Sequence, residues 1–267
     1  MIPAPRRGSG RHRPWPLCRQ CYGLALDLGG ARTRAWTSDR GTILDVPTVT
    51  GARSGEPVPE PGLADIAGTA RMLRRLFGSR PPAAGRPLVI VTAPVLGGVA
   101  HRDRARAAVE VLGPRTVLTV PTARAVAVAS RADLSRPLLV VDLGARRTEV
   151  VLLADGAVID ARGAALGTGD GDGTGRPGAL LVDAVTAMVT AMLDEDRTPR
   201  TLDALRRGAL LAGGGALRPE IPYRLTGRLH APVSPVPAPH TAAVRGAAEL
   251  LRAAHAHPSA TGAVGAG

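Results

Sequence analysis

At 267 residues, 45% hydrophobic but only 2% aromatic, with 33 Gly and 24 Pro, the chain is long enough for one large domain or two halves built on Val, Leu, Ile and Ala. No run approaches the roughly 18 to 20 uninterrupted apolar residues of a membrane-spanning helix. The arginine-rich start meets Trp15-Pro16-Leu17-Cys18 and not an apolar stretch, so no secretory leader is expected and the chain is read as cytoplasmic. The net charge of +12 is carried by arginine without any lysine, a bias that GC-rich coding produces without a chosen partner, and so few rings give base stacking little to work with. Nucleic acid is therefore not expected as a partner.

Residues 1–21 read as a disordered basic tail: Arg6, Arg7, Arg11, Arg13 and Arg19 carry five positive charges with no acid, a solvated arm by composition, though one able to lie on an anionic membrane surface. Its Cys18 and Cys21 form a C-x-x-C. A structural zinc site normally needs four ligands, the nearest histidine, His12, lies in the same arm, and a strand follows where a redox pair would want a helix N-terminus. The pair is read as two ordinary thiols.

A hairpin unit follows from Tyr22 to Thr50, then a Gly- and Pro-rich link and a helix over Leu63–Phe77 with Ile66, Met72, Leu73, Leu76 and Phe77 at helical spacing. Leu88–Val91 reads as a strand buried on both faces. A helix over Arg102–Leu112, a strand over Thr116–Val120 and an alanine-rich helix over Ala123–Arg131 come next. A second hairpin unit spans Leu138–Leu166, Gly167–Gly173 is a loop, and Ala179–Leu193 is helical. After a polar break, the strand at Gly208–Ala212 runs into Gly213-Gly214-Gly215, and the last helix covers Ala242–Ala253. Residues 254–267 are a low-complexity tail expected to be disordered.

The chain repeats itself. Asp27-Leu28-Gly29-Gly30-Ala31-Arg32-Thr33, reaching Gly41 and Asp45, returns without a gap as Asp142-Leu143-Gly144-Ala145-Arg146-Arg147-Thr148, reaching Gly156 and Asp160. Each copy is an apolar strand, an Asp, a small-residue turn, a second strand and a Gly-centred turn into a third. Two copies predict two half-domains, at residues 22–137 and 138–253. Successive N–H groups in such a turn make an anion-binding concavity, and a nearby carboxylate can hold hydrated Mg²⁺ against the anion, which points to a nucleotide polyphosphate gripped from both sides. A lone Asp-Leu-Gly or Gly-Gly-Gly is more often a plain structural turn. Here the order and the repeat carry the weight.

Those stretches, with Val89-Ile90-Val91-Thr92-Ala93-Pro94, Val120-Pro121-Thr122-Ala123-Arg124-Ala125, Leu166-Gly167-Thr168-Gly169-Asp170 and Pro239–Ala247, resemble the actin, sugar-kinase and heat-shock-ATPase superfamily, and within it the MreB-like rod-shape-determining proteins. The resemblance covers residues 22 to 253. It implies an α/β, duplicated actin-like (ribonuclease-H-like) ATPase fold with two lobes around a nucleotide cleft. It also implies that ATP and Mg²⁺ are bound: Asp27 and Asp142 on the metal through water, Gly29, Gly30 and Thr33 on phosphate from one side, Gly144, Arg146 and Thr148 from the other, and Gly213, Gly214 and Gly215 on the adenosine. Self-association, a fuller-length MreB-like partner and membrane-associated wall-synthesis proteins are the partners it implies, with a cytoplasmic place at the inner membrane surface and a role in cell shape.

Three departures bear on activity. The family's Glu before the helix-starting proline is Val120 here, which can neither take a proton nor order a water, so general-base help of roughly 10²- to 10⁴-fold is expected to be missing and hydrolysis weak or nil. Ala145, Arg146 and Arg147 replace small turn residues, and their guanidinium groups either add charge-assisted contacts to phosphate or close the turn by bulk. The stretches Thr50–Pro87 and Gly171–Arg207 are short, so the outer subdomains are expected to be trimmed. A DnaK-like or reactivating ATPase chaperone, a small-molecule kinase and a nucleotide-free pseudo-ATPase scaffold are the alternatives.

Overall fold

The computed structural model describes residues 14, 15, 17, 18, 21–48, 63, 65–78, 85–169 and 177–257. The remainder of the basic tail, the Gly- and Pro-rich link, residues 170–176 of the glycine loop and the C-terminal tail from 258 lie outside the described residues.

The duplication in the sequence is a duplication of topology. In the first half β1 (Gly23–Leu28), β2 (Arg32–Thr37) and β3 (Ile43–Pro47) form an antiparallel meander. Helix α1 (Ile66–Phe77) then leads to β4 (Leu88–Ala93) beside β1, and α2 (Gly98–Val109) leads to β5 (Thr116–Pro121). The sheet order is β3-β2-β1-β4-β5, with β1, β4 and β5 parallel. After α3 (Thr122–Ala129), the second half repeats the plan with β6 (Leu138–Leu143), β7 (Thr148–Ala154) and β8 (Ala157–Ala164). Helices α4 (Pro177–Glu195) and α5 (Arg200–Arg207), β9 (Ala209–Ala212), α6 (Glu220–Leu229), β10 (Val233–Pro235) and α7 (Ala242–Ala256) complete it. Its sheet order, β8-β7-β6-β9-β10, mirrors the first. Gly41 and Gly156, at equivalent places in the two repeats, share positive φ values of 69° and 71°. Among the described residues no further sheet stands beside these two.

Burial is nearly continuous along the central strands, as a sheet covered on both faces requires, and successive side chains point to opposite faces. Leu24, Leu26, Val89 and Val91 face α1 and α2 through Leu73, Phe77, Ala105 and Val109, while Ala25 and Ile90 face the opposite way. Helix α1 starts where the Asp65 carboxylate accepts the Gly68 N–H at 2.7 Å, satisfying one of the four orphan donors of a helix start. In the second half Leu139, Val141, Leu143 and Leu152 face Leu181, Val185, Leu205 and Leu225 on the outer helices.

The inner faces are covered by exchange. Helix α3, which follows the first sheet, lays Ala123, Val126 and Ala127 on Val140, Val151 and Leu153 of the second. Helix α7, which follows the second sheet, lays Val244, Ala247, Ala248 and Leu251 on Ala25, Trp36 and Ile90 of the first. The two helices cross in close contact: a Cβ on Gly246 would lie 1.7 Å from the Ala125 carbonyl oxygen. Only glycine permits that approach.

Three elements differ from the sequence expectation or settle it. Helix α5 falls in a stretch that reads as a polar break, strand β10 is not expected, and α6 settles as a helix what reads after the glycine triplet as a helix or turn. Helix α6 contains Pro222 and Gly227, both breakers by rule, but Pro222 sits in the first turn, where its missing N–H has no partner to lose. Part of the tail read as disordered is ordered: Trp15 Nε1 donates to the Cys21 carbonyl at 2.9 Å, and the indole lies over Gly23.

Gly246→Ala is expected to destabilise by at least about 2 kcal/mol, because relief requires moving one whole helix off the other. Thermal unfolding should show a fall in Tm of at least about 4 °C; an unchanged Tm would mean that the crossing is loose.

Candidate functional site

The two repeated turns emerge at the ends of the central strands β1 and β6 and face one another across a cleft of about 290 Å³, at the small end of ordinary ligand pockets. Their backbones are equivalent: the Gly29 N–H donates to the Arg32 carbonyl at 3.1 Å, and the Gly144 N–H to the Arg147 carbonyl at 2.9 Å. Each turn is buttressed through the same glycine carbonyl, Gly29 by the Thr48 hydroxyl at 2.8 Å and Gly144 by the Thr168 N–H at 3.0 Å. Asp27, Gly29, Gly30, Asp142, Gly144, Arg146, Gly213 and Gly214 all line the cleft.

Three expected contacts lie elsewhere. Thr33 and Thr148 are buried behind the turns, where their hydroxyls meet Thr48 Oγ1 at 3.0 Å and the Leu166 carbonyl at 2.8 Å. They hold the turns and do not line the cleft. Gly215 is also off the wall, its Cα against the Leu143 side chain, where a Cβ would approach to 2.6 Å. Gly213 does the opening work expected of the triplet: at φ +84° it passes so close to Asp142 and the Leu143 carbonyl that a Cβ would clash with both.

Antiparallel pairing places a second charged residue opposite each Asp, Arg34 opposite Asp27 and Glu149 opposite Asp142. Neither was singled out from the sequence, although counting seven residues on from each Asp finds both, since directly paired residues share a face. Thr92 Oγ1 donates to Asp27 Oδ1 at 2.9 Å, and an Arg34 guanidinium nitrogen stands 3.7 Å from Oδ2. Burial pushes the Asp27 carboxyl up, opposed by Arg34 and Thr92. Asp142 has less help. Burial, then the charges of Asp27 and Glu149, push it up to about 7, with only Arg34 pulling it down.

Glu149 joins the halves. From β7 its carboxylate accepts the Val95 and Leu96 N–H groups, at 3.1 and 3.0 Å, from the segment that follows β4. Burial raises this carboxyl too, against those two N–H groups and Arg147, whose guanidinium lies 3.8 Å from it. Arg147 is thus turned to Glu149. The aliphatic stem of Arg146 crosses to Gly30, near enough that a Cβ there would lie 3.4 Å from its Cδ. Neither side chain fills the cleft, whose wall carries four arginines (Arg32, Arg34, Arg146, Arg147) against three carboxylates. Val120, in contrast, is buried among Ala25, Trp36 and Val244 and does not line the cleft.

The donor set suits a hydrated Mg²⁺: two part-exposed carboxylates from equivalent strand ends converge beside the glycine turns, and around Asp142 like charges outweigh the one arginine that offsets them.

Two half-domains with mirrored sheets, exchanged inner helices and a cleft between repeated turns define the actin-like two-lobed fold. No family profile and no curated protein matches the sequence. Solved structures share the fold. MreB5 of Spiroplasma citri bound to ADP superposes with a TM-score of 0.74 at 14% identity, over 89% of this chain and 98% of that one. A non-polymerising mutant of MamK bound to AMPPNP gives 0.63 at 15% identity, over 87% and 99%. The ethanolamine utilization protein EutJ from Carboxydothermus hydrogenoformans gives 0.56 at 16% identity, over 88% and 91%.

A carboxyl raised in the folded state binds more protons there than in the unfolded chain. Its stabilising contribution is complete below the unfolded value and is lost as pH rises through about 7. Asp142→Asn, which carries no charge at any pH, is therefore expected to exceed the wild type in Tm at pH 8 without divalent ions, with a smaller gap at pH 5. Parallel melting curves across that range would show that Asp142 is not under this strain.

Proposed function

We propose that this chain is an actin-like cytoskeletal protein that binds ATP with Mg²⁺ in the interlobe cleft and assembles with itself or a fuller-length relative. The observation that carries the reading is the convergence of two symmetric acid-and-glycine turns on one arginine-lined cleft. Asp27 and Asp142 would hold the hydrated ion, which supplies charge neutralisation for the phosphates. The turns at Gly29, Gly30 and Gly144 would take the phosphate, held in shape by the Gly29 and Gly144 N–H groups that donate to the Arg32 and Arg147 carbonyls, and Arg146 would add charge-assisted contacts while Arg32 is paired with Asp45 at 2.7 Å. Gly213 and Gly214 would leave room for the nucleoside.

The shared fold of nucleotide-bound MreB5 and of MamK, which forms a double helical filament, supports both binding and assembly. The same likeness supports a cytoplasmic place at the inner membrane surface and a role in cell shape or wall synthesis. No described helix is long and apolar enough to cross a membrane. The burial of Val120 supports weak or absent hydrolysis: a carboxylate is missing there, and that position faces the core. A second reading, a nucleotide-free scaffold, is favoured by Arg146 over Gly30 and Arg34 beside Asp27.

Titration with labelled ATP and Mg²⁺ separates the two. Saturable binding is expected in the wild type and at least a tenfold loss in the Asp27→Ala, Asp142→Ala double variant; no saturation at millimolar nucleotide leaves only the scaffold. Because the ion needs Asp142 ionised, affinity should rise between pH 6 and pH 8. Sedimentation with and without Mg-ATP tests assembly, and a monomer at every concentration would remove it.

A further inference from the structure

The sequence gives Cys18 and Cys21 no long-range partner; the fold gives them one from the far end of the chain. His255, in the last turns of α7 and 4% exposed, brings a ring nitrogen into a group with the two sulfurs, all three ligand atoms lying within 4.8 Å of one another. Zinc bound by thiolates at about 2.3 Å and imidazole at about 2.0–2.1 Å in a tetrahedral arrangement sets its ligand atoms roughly 3.5–3.8 Å apart, so the group closes on an ion with little movement. The supporting contacts are in place. Trp15 stacks on the His255 ring at 3.9 Å with 14° between planes, and its indole N–H donates to the carbonyl of Cys21 at 2.9 Å, so one side chain orients both ends of the group. Arg252, one turn before His255, lies 4.5 Å over the Trp36 ring, itself edge-on to Trp15.

We propose that Cys18, Cys21 and His255 bind one zinc ion, with the fourth position left to water or a further side chain, and that the ion clamps the N-terminal segment to α7. Two thiolates and one imidazole are the donors zinc prefers over magnesium or calcium. Both thiol protons pass to solvent on binding, and no oxidant or reductant is involved. The site lies beside Gly23, at the opposite end of β1 from Asp27, so it is separate from the nucleotide cleft.

The test uses the full chain, reduced and stripped of metal, titrated with Co²⁺ and then Zn²⁺. One equivalent of Co²⁺ should bind with a thiolate-to-metal charge-transfer band and tetrahedral d–d bands. Zn²⁺ should displace it, tryptophan emission should change through Trp15, and Tm should rise. Cys18→Ser and His255→Gln should each weaken binding by at least about 100-fold; should His255→Gln not fold, the zinc K-edge X-ray absorption spectrum of the loaded wild type decides the same point, showing imidazole scattering beside two sulfurs if His255 is a ligand and none if the cysteines act alone. Binding well below one equivalent overturns the proposal. So does a His255→Gln protein that takes Co²⁺ with unchanged affinity and spectrum, since the C-x-x-C alone would then hold the metal.

Discussion

The backbone-to-backbone crossing of α3 and α7 is the constraint on which the cleft depends. Each helix belongs in sequence to one repeat and packs on the sheet of the other, so the two sheets cannot be placed independently. Ala123, Ala125, Ala127 on one helix and Ala242, Gly246, Ala247 on the other keep the crossing thin. A thicker crossing would separate the ends of β1 and β6 and pull the two acid-bearing turns apart. The strong alanine and glycine content is thus used structurally wherever it falls on these two helices, whatever its origin in the coding sequence.

Bringing the turns together has an electrostatic cost that the arginines only partly offset. Two equivalent carboxylates face a shared space, and hairpin pairing adds Glu149 beside one and Arg34 beside the other. The symmetry of the backbone is therefore broken in charge. Asp27 has a guanidinium and a hydroxyl, whereas Asp142 has two like charges for neighbours. In the proposed binding mode a cation there would relieve a repulsion already built into the protein, and a polyanion would meet Arg146, since Arg32 is paired with Asp45. Glu149 resolves its own burial differently, by accepting two N–H groups from the opposite half, so the carboxylate that burdens Asp142 also ties the lobes together.

Much of this was legible in the sequence because the signal is local and repeated. The two Asp-Leu-Gly turns, the buried run at Leu88, the Gly213 triplet and the long helices all announce themselves within a short window. Fold class and the acid-bearing turns followed directly. What stayed hidden depends on pairing between distant segments: Thr92 reaches Asp27 only through the parallel pairing of β1 with β4, and the exchange of α3 and α7 leaves no mark in either repeat. Thr33 and Thr148 show the opposite error. A hydroxyl beside a phosphate-type turn looks like a ligand, yet at these strand positions it points behind the turn and supports it. Short elements also escaped, because Arg200–Arg207 and Val233–Pro235 are too brief for periodicity to register, and Pro222 leaves helix and turn undecided at the start of α6.

Helix α7 links these observations into one mechanical unit. Its approach, Pro239 and His240, and its first turn, through Ala243, line the cleft. Its middle carries Gly246 at the crossing, and its end carries His255 beside the docked Trp15 segment. At about 1.5 Å per residue, the 15 residues span roughly 22 Å, so a single rod reaches from the cleft wall to the cysteines. Fixing the far end of a rod restrains rotation at its near end. A helix held only by small-residue packing can slide and tilt on its neighbour, whereas one also pinned at His255 must turn with the first sheet. The crossing with α3, where a Cβ on Gly246 has no room, and the Glu149 hydrogen bonds to Val95 and Leu96 then hold the second half against a first half that carries α7 along its length.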